Sequence, residues 1–235
     1  MSNPTAEIHH EHRDVSGGWL RPTVFGMMDG LVSNFALIAG VAGASASSTT
    51  VALAGWAGLV GGAFSMATGE YVSVQSQNES TQAELEVEMH ELVHNAEAER
   101  AELAQMYVAR GVDADLADQV ATQLSRDPEQ ALIIHAQEEL GVDPHQLPSP
   151  WVAAFSSITS FSVGAFIPLL PYVLGVDTLW WSSILACLAL FGAGALSARF
   201  TSRHWVFAGL RQLVLGGLAA AVTFGVGALF HTTVN

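Results

Sequence analysis

Apolar residues gather into five long runs, at 23–44, 51–75, 151–174, 178–198 and 206–230, separated by polar stretches of very unequal length. Crossing a bilayer takes about 20 apolar residues in a helix, so the pattern predicts five transmembrane helices. The longest polar stretch, 76–150, lies between the second and third runs. It is rich in Ala, Glu, Leu and Gln and predicts helices over 82–110, 113–124 and 128–140, with Gly111 and Gly141 as stops. Pro144, Pro148 and Pro150 mark a linker into the third run. No Gly or Pro falls between Gly69 and Gly111, so the second span is expected to continue unbroken into the insert. The expected organisation is a tail at 1–22, helices 1–2 at 23–75, the inserted helical segment at 76–150 and helices 3–5 at 151–235.

Pro22 suits the first turn of the first helix. Trp19, Trp151, Trp180, Trp181 and Trp205 sit near run ends, as an interfacial aromatic belt requires. Pro168 and Pro171 fall inside the third run and predict a kink or break. Arg13 and Arg21 precede the first run, Arg100, Arg110 and Arg126 lie in the insert, and Arg199, Arg203 and Arg211 surround the fourth-to-fifth connection. With five spans all these segments face one side, which the positive-inside rule makes cytoplasmic. The N-terminus and the insert are then cytoplasmic and the C-terminus outside.

Composition sharpens this. Half of the 235 residues are hydrophobic and only 13% are charged, about half the charged share of a soluble protein. The formal net charge is −14, and every cation is Arg. Such a chain lacks the basic face that phosphate contacts need, so a nucleic-acid partner is excluded; an acidic protein attracts cations. Sixteen of the 22 acidic residues lie between 76 and 150, against three arginines. The single Cys187 permits no intrachain disulfide and reads as a packed residue in an apolar run. The N-terminal segment has no basic region followed by an apolar stretch, so no cleavable signal peptide is expected. The Lys-free, Ala-rich composition points to a bacterial protein, hence the cell inner (cytoplasmic) membrane.

The first two spans carry two carboxylates, Asp29 and Glu70. A carboxylate in hydrocarbon is expensive and marks function. Asp29 lies seven residues past Pro22, and Met66 and Glu70 lie nine and five residues from the cytoplasmic end of the oppositely directed second span. At the helical rise all three fall on the order of 10 Å deep. Two carboxylates with a thioether form a mixed ligand set, and sulfur moves the preference toward later transition metals such as Fe(II). In the insert, Glu88 with Glu91 and Glu99 with Glu102 are i,i+3 pairs. On one continuous helix these residues would share a face within about 80°, a stripe that destabilises the helix unless cations sit between the charges. Alternatively the helix breaks near His94 and Asn95, and the pairs face each other. Glu138 and Glu139 can complete the cluster, with His90, His94 and His135 as auxiliary ligands. The N-terminal His9, His10, Glu11 and His12 form a further, weaker cluster.

The segments MMDGLVSNFALIAGVAGA (27–44), GGAFSMATGEYVSVQSQNE (61–79) and GAFIPLLPY (164–172), with the paired glutamates, resemble the vacuolar iron transporter family over nearly the whole chain. The resemblance implies a homodimer of five-span subunits that exports cytosolic Fe2+, and often Mn2+, in exchange for protons. It implies a translocation site at Asp29 and Met66 and a cytoplasmic metal-binding domain that uses Glu88, Glu91, Glu99, Glu102 and Glu139. Asn34 stands where eukaryotic members often have Pro, and His135 stands near a position where plant members tend to carry Met. The fold class expected is therefore an all-α membrane protein with five transmembrane helices and a cytoplasmic helical metal-binding domain inserted between the second and third. The expected function is divalent metal/proton antiport by a non-enzyme with no prosthetic group. Its partners are metal ions, protons, the lipid bilayer and a second copy. Two rivals are a membrane-bound di-iron carboxylate oxidase, for which Glu91 and His94 supply only one Glu-x-x-His element of the two required, and a membrane-anchored metal sensor or buffer.

Overall fold

The computed structural model describes residues 18–200 and 203–234, and all regular structure among them is helical. The elements are α1 (Leu20–Gly43), α2 (Ser48–His94), α3 (Ala96–Ala109), α4 (Ala114–Leu124), α5 (Pro128–His135) running into a π-helical turn (Ala136–Leu140), α6 (Pro150–Val173), α7 (Leu179–Ser197) and α8 (Trp205–Val234). Helices α1, α2, α6, α7 and α8 are long and apolar enough to cross a membrane. The protein is a multi-pass membrane protein. The N-terminal His cluster, and Arg13 with it, lie outside the described residues.

The chain divides into two compact units, residues 1–71 with 151–235 and residues 72–150. In the first, α1 is the central helix. One side of it packs through Ile38 against Val51, Leu59 and Ala63 of α2 and Phe161, Ala165 and Leu169 of α6. Its other side packs through Leu31, Phe35 and Ala39 against Ala186 and Leu190 of α7 and Ala220 of α8. A β-carbon at Gly30 would meet the Phe161 carbonyl, and one at Gly164 the Met27 carbonyl. Glycine at these crossings lets α1 and α6 pack backbone to backbone. The outer faces of α7 and α8 leave Leu188, Leu196, Leu210, Val214, Leu218 and Val222 exposed, as lipid-facing surfaces require.

Of the kink or break expected in the third span, the break does not occur: α6 is helical through Pro168 and Pro171. Neighbouring helices donate to its carbonyls in this stretch, Asn34 Nδ2 to Ala165 O at 2.6 Å and Ser182 Oγ to Pro168 O at 2.5 Å. These bonds tie α6 to α1 and α7; the carbonyls that the prolines leave without an amide partner are those of Gly164 and Ile167.

In the second unit α2 ends at His94, and Asn95 (φ −125°, ψ 31°) separates it from α3. Of the two readings left open for 82–110, the structure takes the broken helix. Asp113 caps α4 by accepting from Asp115 N, and Asp127 caps α5 by accepting from Glu129 N, with Pro128 in the first turn. Gly111 (φ 95°) and Gly141 (φ 66°) end their helices in left-handed conformations that favour glycine. Leu103, Ala117, Ala121, Ala131 and Ala136 form a small buried core, and Arg100 of α3 pairs with Asp118 of α4.

Candidate metal sites

Two groups of residues with metal-binding chemistry emerge, one in each unit. In the first unit a cavity of about 230 Å³ is lined by Asp29, Ser33, Asn34 and Leu37 of α1, Gly58, Gly62, Ser65 and Met66 of α2, and Phe161 of α6. Glycines at 58 and 62 leave room where side chains would fill it; a β-carbon at Gly58 would stand 2.6 Å from Asn34 Oδ1. The cavity thus brings Asp29 and Met66 together. Glu70, one turn beyond Met66, is buried, and its Oε2 has no hydrogen-bond partner; it does not line the cavity.

Asn34 is the residue that reading the sequence passed over as a ligand. It is 1% exposed, its Nδ2 is spent on Ala165 O, and its Oδ1 is left without a partner. A carboxamide held by its nitrogen presents its carbonyl oxygen in a fixed direction, a hard donor beside the softer Met66 sulfur. Its signals in the sequence are a polar residue on an apolar helix, five residues beyond Asp29 and next to Ser33, and its departure from the Pro common in eukaryotic members.

In the second unit Glu88 of α2, Glu99 of α3, His135 at the end of α5 and Glu139 in the turn that follows bring one potential ligand atom each within 4.8 Å of one another. Eleven residues separate Glu88 from Glu99, about 16 Å along an unbroken helix. The break at Asn95 is therefore what makes the cluster possible. Asn95 secures it by donating to the Glu91 carboxylate. His135 Nδ1 lies 2.9 Å from Glu88 Oε1, 2.8 Å from Glu139 Oε1 and 3.9 Å from Glu99 Oε2. The π-helical turn that follows carries Glu139, the inserted-turn geometry common at functional sites.

The site is shielded from solvent at His135, Glu88 and Glu99 and opens to it at Glu139. The His135 side chain is fully buried, and those of Glu88, Glu99 and Glu139 are 17%, 12% and 27% exposed. Burial, followed by repulsion from Glu139, Glu99 and Glu102, raises the Glu88 carboxyl above its ordinary range, and His135 opposes the rise. Burial likewise raises Glu99, with Glu102, Glu139 and Glu91 adding to it against His135. Glu91 and Glu102 thus act on the cluster electrostatically while standing outside its four close ligands. Glu138 points elsewhere and pairs with Arg110. Carboxylate oxygens with one imidazole suit Fe(II) and Mn(II) among divalent ions. Among the described residues this cluster holds one imidazole, whereas a di-iron oxidase site in a bundle needs two Glu-x-x-His elements.

The model of the VIT family matches residues 20–228. The chain is 39% identical over 232 residues to the vacuolar iron transporter of Acanthamoeba castellanii, covering 94% of this chain and 83% of that protein. It is 32% identical to vacuolar iron transporter 1 of Arabidopsis thaliana, over 92% of this chain and 88% of the relative. It is 31% identical to vacuolar iron transporter 1 of rice, over 95% and 91% of the two chains. With one family spanning nearly its whole length, from the α1 carboxylate through the insert cluster to α8, the chain belongs to the VIT family of vacuolar iron transporters.

Proposed function

We propose that the protein transports divalent metal, Fe2+ and also Mn2+, out of the cytoplasm in exchange for protons. Metal-ion transport is the activity in the names of its relatives. The observation that carries the finer reading is the buried cluster of Glu88, Glu99, His135 and Glu139, in the segment that holds most of the acidic residues. Four convergent ligands, two with carboxyl groups raised by burial and mutual repulsion, favour a divalent cation that neutralises them. The insert captures the ion on the cytoplasmic side and raises its local concentration. Asp29, Met66 and the Asn34 carbonyl form the transport site, and Glu70 supplies a buried carboxyl able to hold a proton or a cation within the span.

In this reading α1, α2, α6, α7 and α8 each cross the inner membrane, residues 76–150 form a cytoplasmic capture domain, and two copies assemble. The open space beside Gly61 and Gly69 on α2 supports close approach of a second copy. Reconstituted vesicles test the function. Fe2+ and Mn2+ flux should require a pH gradient, Asp29→Ala should abolish it, and Met66→Ala should reduce it more for Fe2+ than for Mn2+. Flux unchanged in Asp29→Ala, or indifferent to the pH gradient, contradicts the proposal.

A further inference from the structure

Outside the two sites described, the last turn of α2 carries a pair of imidazoles. Its sequence is His90-Glu91-Leu92-Val93-His94, and an i,i+4 pair of histidines lies on one helix face, the spacing by which helices present two imidazoles to zinc. The two rings lie nearly parallel, with centroids 4.0 Å apart and an interplanar angle of 20°. Stacking places both rings on the same side of the helix, and because both are exposed, a change of side-chain torsion brings one nitrogen of each within the bond length of about 2.0–2.1 Å of a shared ion.

A second observation prepares the pair for a metal. His94 Nδ1 lies 2.8 Å from the His90 carbonyl oxygen. A carbonyl can only accept, so Nδ1 carries the hydrogen and Nε2 keeps its lone pair. Metal-binding histidines are commonly oriented in this way, through the other ring nitrogen bonded to a carbonyl. Both histidines are exposed, so the site opens to solvent. The Glu91 carboxylate approaches His90 Nδ1 to 3.8 Å and adds negative charge beside it. Neither histidine belongs to the buried cluster at His135.

We propose that His90 and His94 form a second, surface metal site on the insert, selective for borderline ions such as Zn2+, Cu2+ and Ni2+. Two imidazoles and a neighbouring carboxylate favour these ions over Mn2+, following the order of divalent affinities. The buried cluster, with three carboxylates and one imidazole, favours the harder ions. The inference stands on the geometry of α2 and does not depend on the transport reading. It gives the insert two chemically distinct sites, one open and imidazole-rich, the other buried and carboxylate-rich.

Calorimetry on the full-length protein in detergent tests it, with His9, His10 and His12 replaced by Ala to remove the N-terminal imidazoles. Titration with Zn2+ should show a binding class that His90→Ala and His94→Ala each weaken at least tenfold. The double variant should lose no more than either single one, because a chelate fails when one arm is removed. Mn2+ binding should be unchanged in all three variants, and Cu2+ bound to the parent should show two nitrogen ligands by electron paramagnetic resonance. A Zn2+ isotherm unchanged by the substitutions, single losses that add up to the double one, or equal loss of Mn2+ binding would each overturn the assignment.

Discussion

His135 is the residue around which the insert site is built. A fully buried imidazole with three carboxylates on its Nδ1 side and an unpartnered Nε2 serves the site more than the core. In the proposed reading, the carboxyls around it link metal binding to pH. Glu88 and Glu99 hold protons more tightly in the folded insert than at the ordinary 4.5, through burial first and neighbouring carboxylates second. A folded state that binds more protons than the unfolded one loses stability as pH rises. The contribution of these two groups is thus complete below their unfolded value and disappears as pH climbs through the raised folded values. A divalent cation acts in the opposite direction, since it binds the deprotonated carboxylates. The metal-free protein should therefore lose stability through these groups as pH rises from 4.5, the ordinary value, toward neutrality, and Mn2+ should raise the midpoint more at the higher pH. Combining Glu88→Gln with Glu99→Gln should flatten both dependences. A variant that keeps the wild-type pH profile in calorimetric unfolding would contradict this account.

Among the elements, the α1–α6 crossing and the α2–α3 break matter most, and each depends on a small feature of the chain. At the crossing, a β-carbon on Gly30 would stand against the Phe161 carbonyl and 2.9 Å from Ala165 N. Backbone atoms cannot rotate away, so Gly30→Ala must push α1 from α6 at a cost of about 1–3 kcal/mol, typical of overpacking. Gly217 on α8 has nothing within 4 Å of such a carbon, and Gly217→Ala should be neutral or slightly stabilising through helix propensity. Thermal unfolding in detergent distinguishes them; equal midpoints would show that this contact is not tight. At the break, Asn95 decides whether the glutamates form a stripe or a cluster. The i,i+3 spacing was legible in the sequence, and so was a break as one of two alternatives. Choosing between them needed α5 and its π-helical turn, which bring His135 and Glu139 from about 40 residues further along the chain.

At the scale of the whole molecule, the proposed reading, in which each of the five apolar helices crosses the membrane, puts the insert and the C-terminus on opposite sides. This is open to direct test. In a Cys187→Ser background, Glu86→Cys in the insert and Thr232→Cys near the C-terminus are both at exposed positions. A membrane-impermeant maleimide added to intact cells should label Thr232→Cys alone, and inside-out vesicles should reverse the pattern. Labelling of both positions from one side would exclude an odd number of crossings between them.

The sequence by itself determined the helical class, the apolar runs, the acidic insert and the residue types able to hold metal, because length, hydropathy and capping are properties of local chain chemistry. It also carried the family, in motifs such as the one around Asp29. Only the tertiary structure decided which donors meet. It gathered Glu88, Glu99, His135 and Glu139 and turned Glu138 toward Arg110. It left Glu70 off the cavity that Asp29 and Met66 share, and aimed Asn34 into that cavity. It also kept α6 helical through two prolines and tied it to its neighbours by hydrogen bonds from Asn34 and Ser182. Each of these depends on contacts between helices distant in sequence, where a few ångströms of packing decide whether a carboxylate meets a metal, an arginine or lipid. Periodicity along one chain carries no information on that distance.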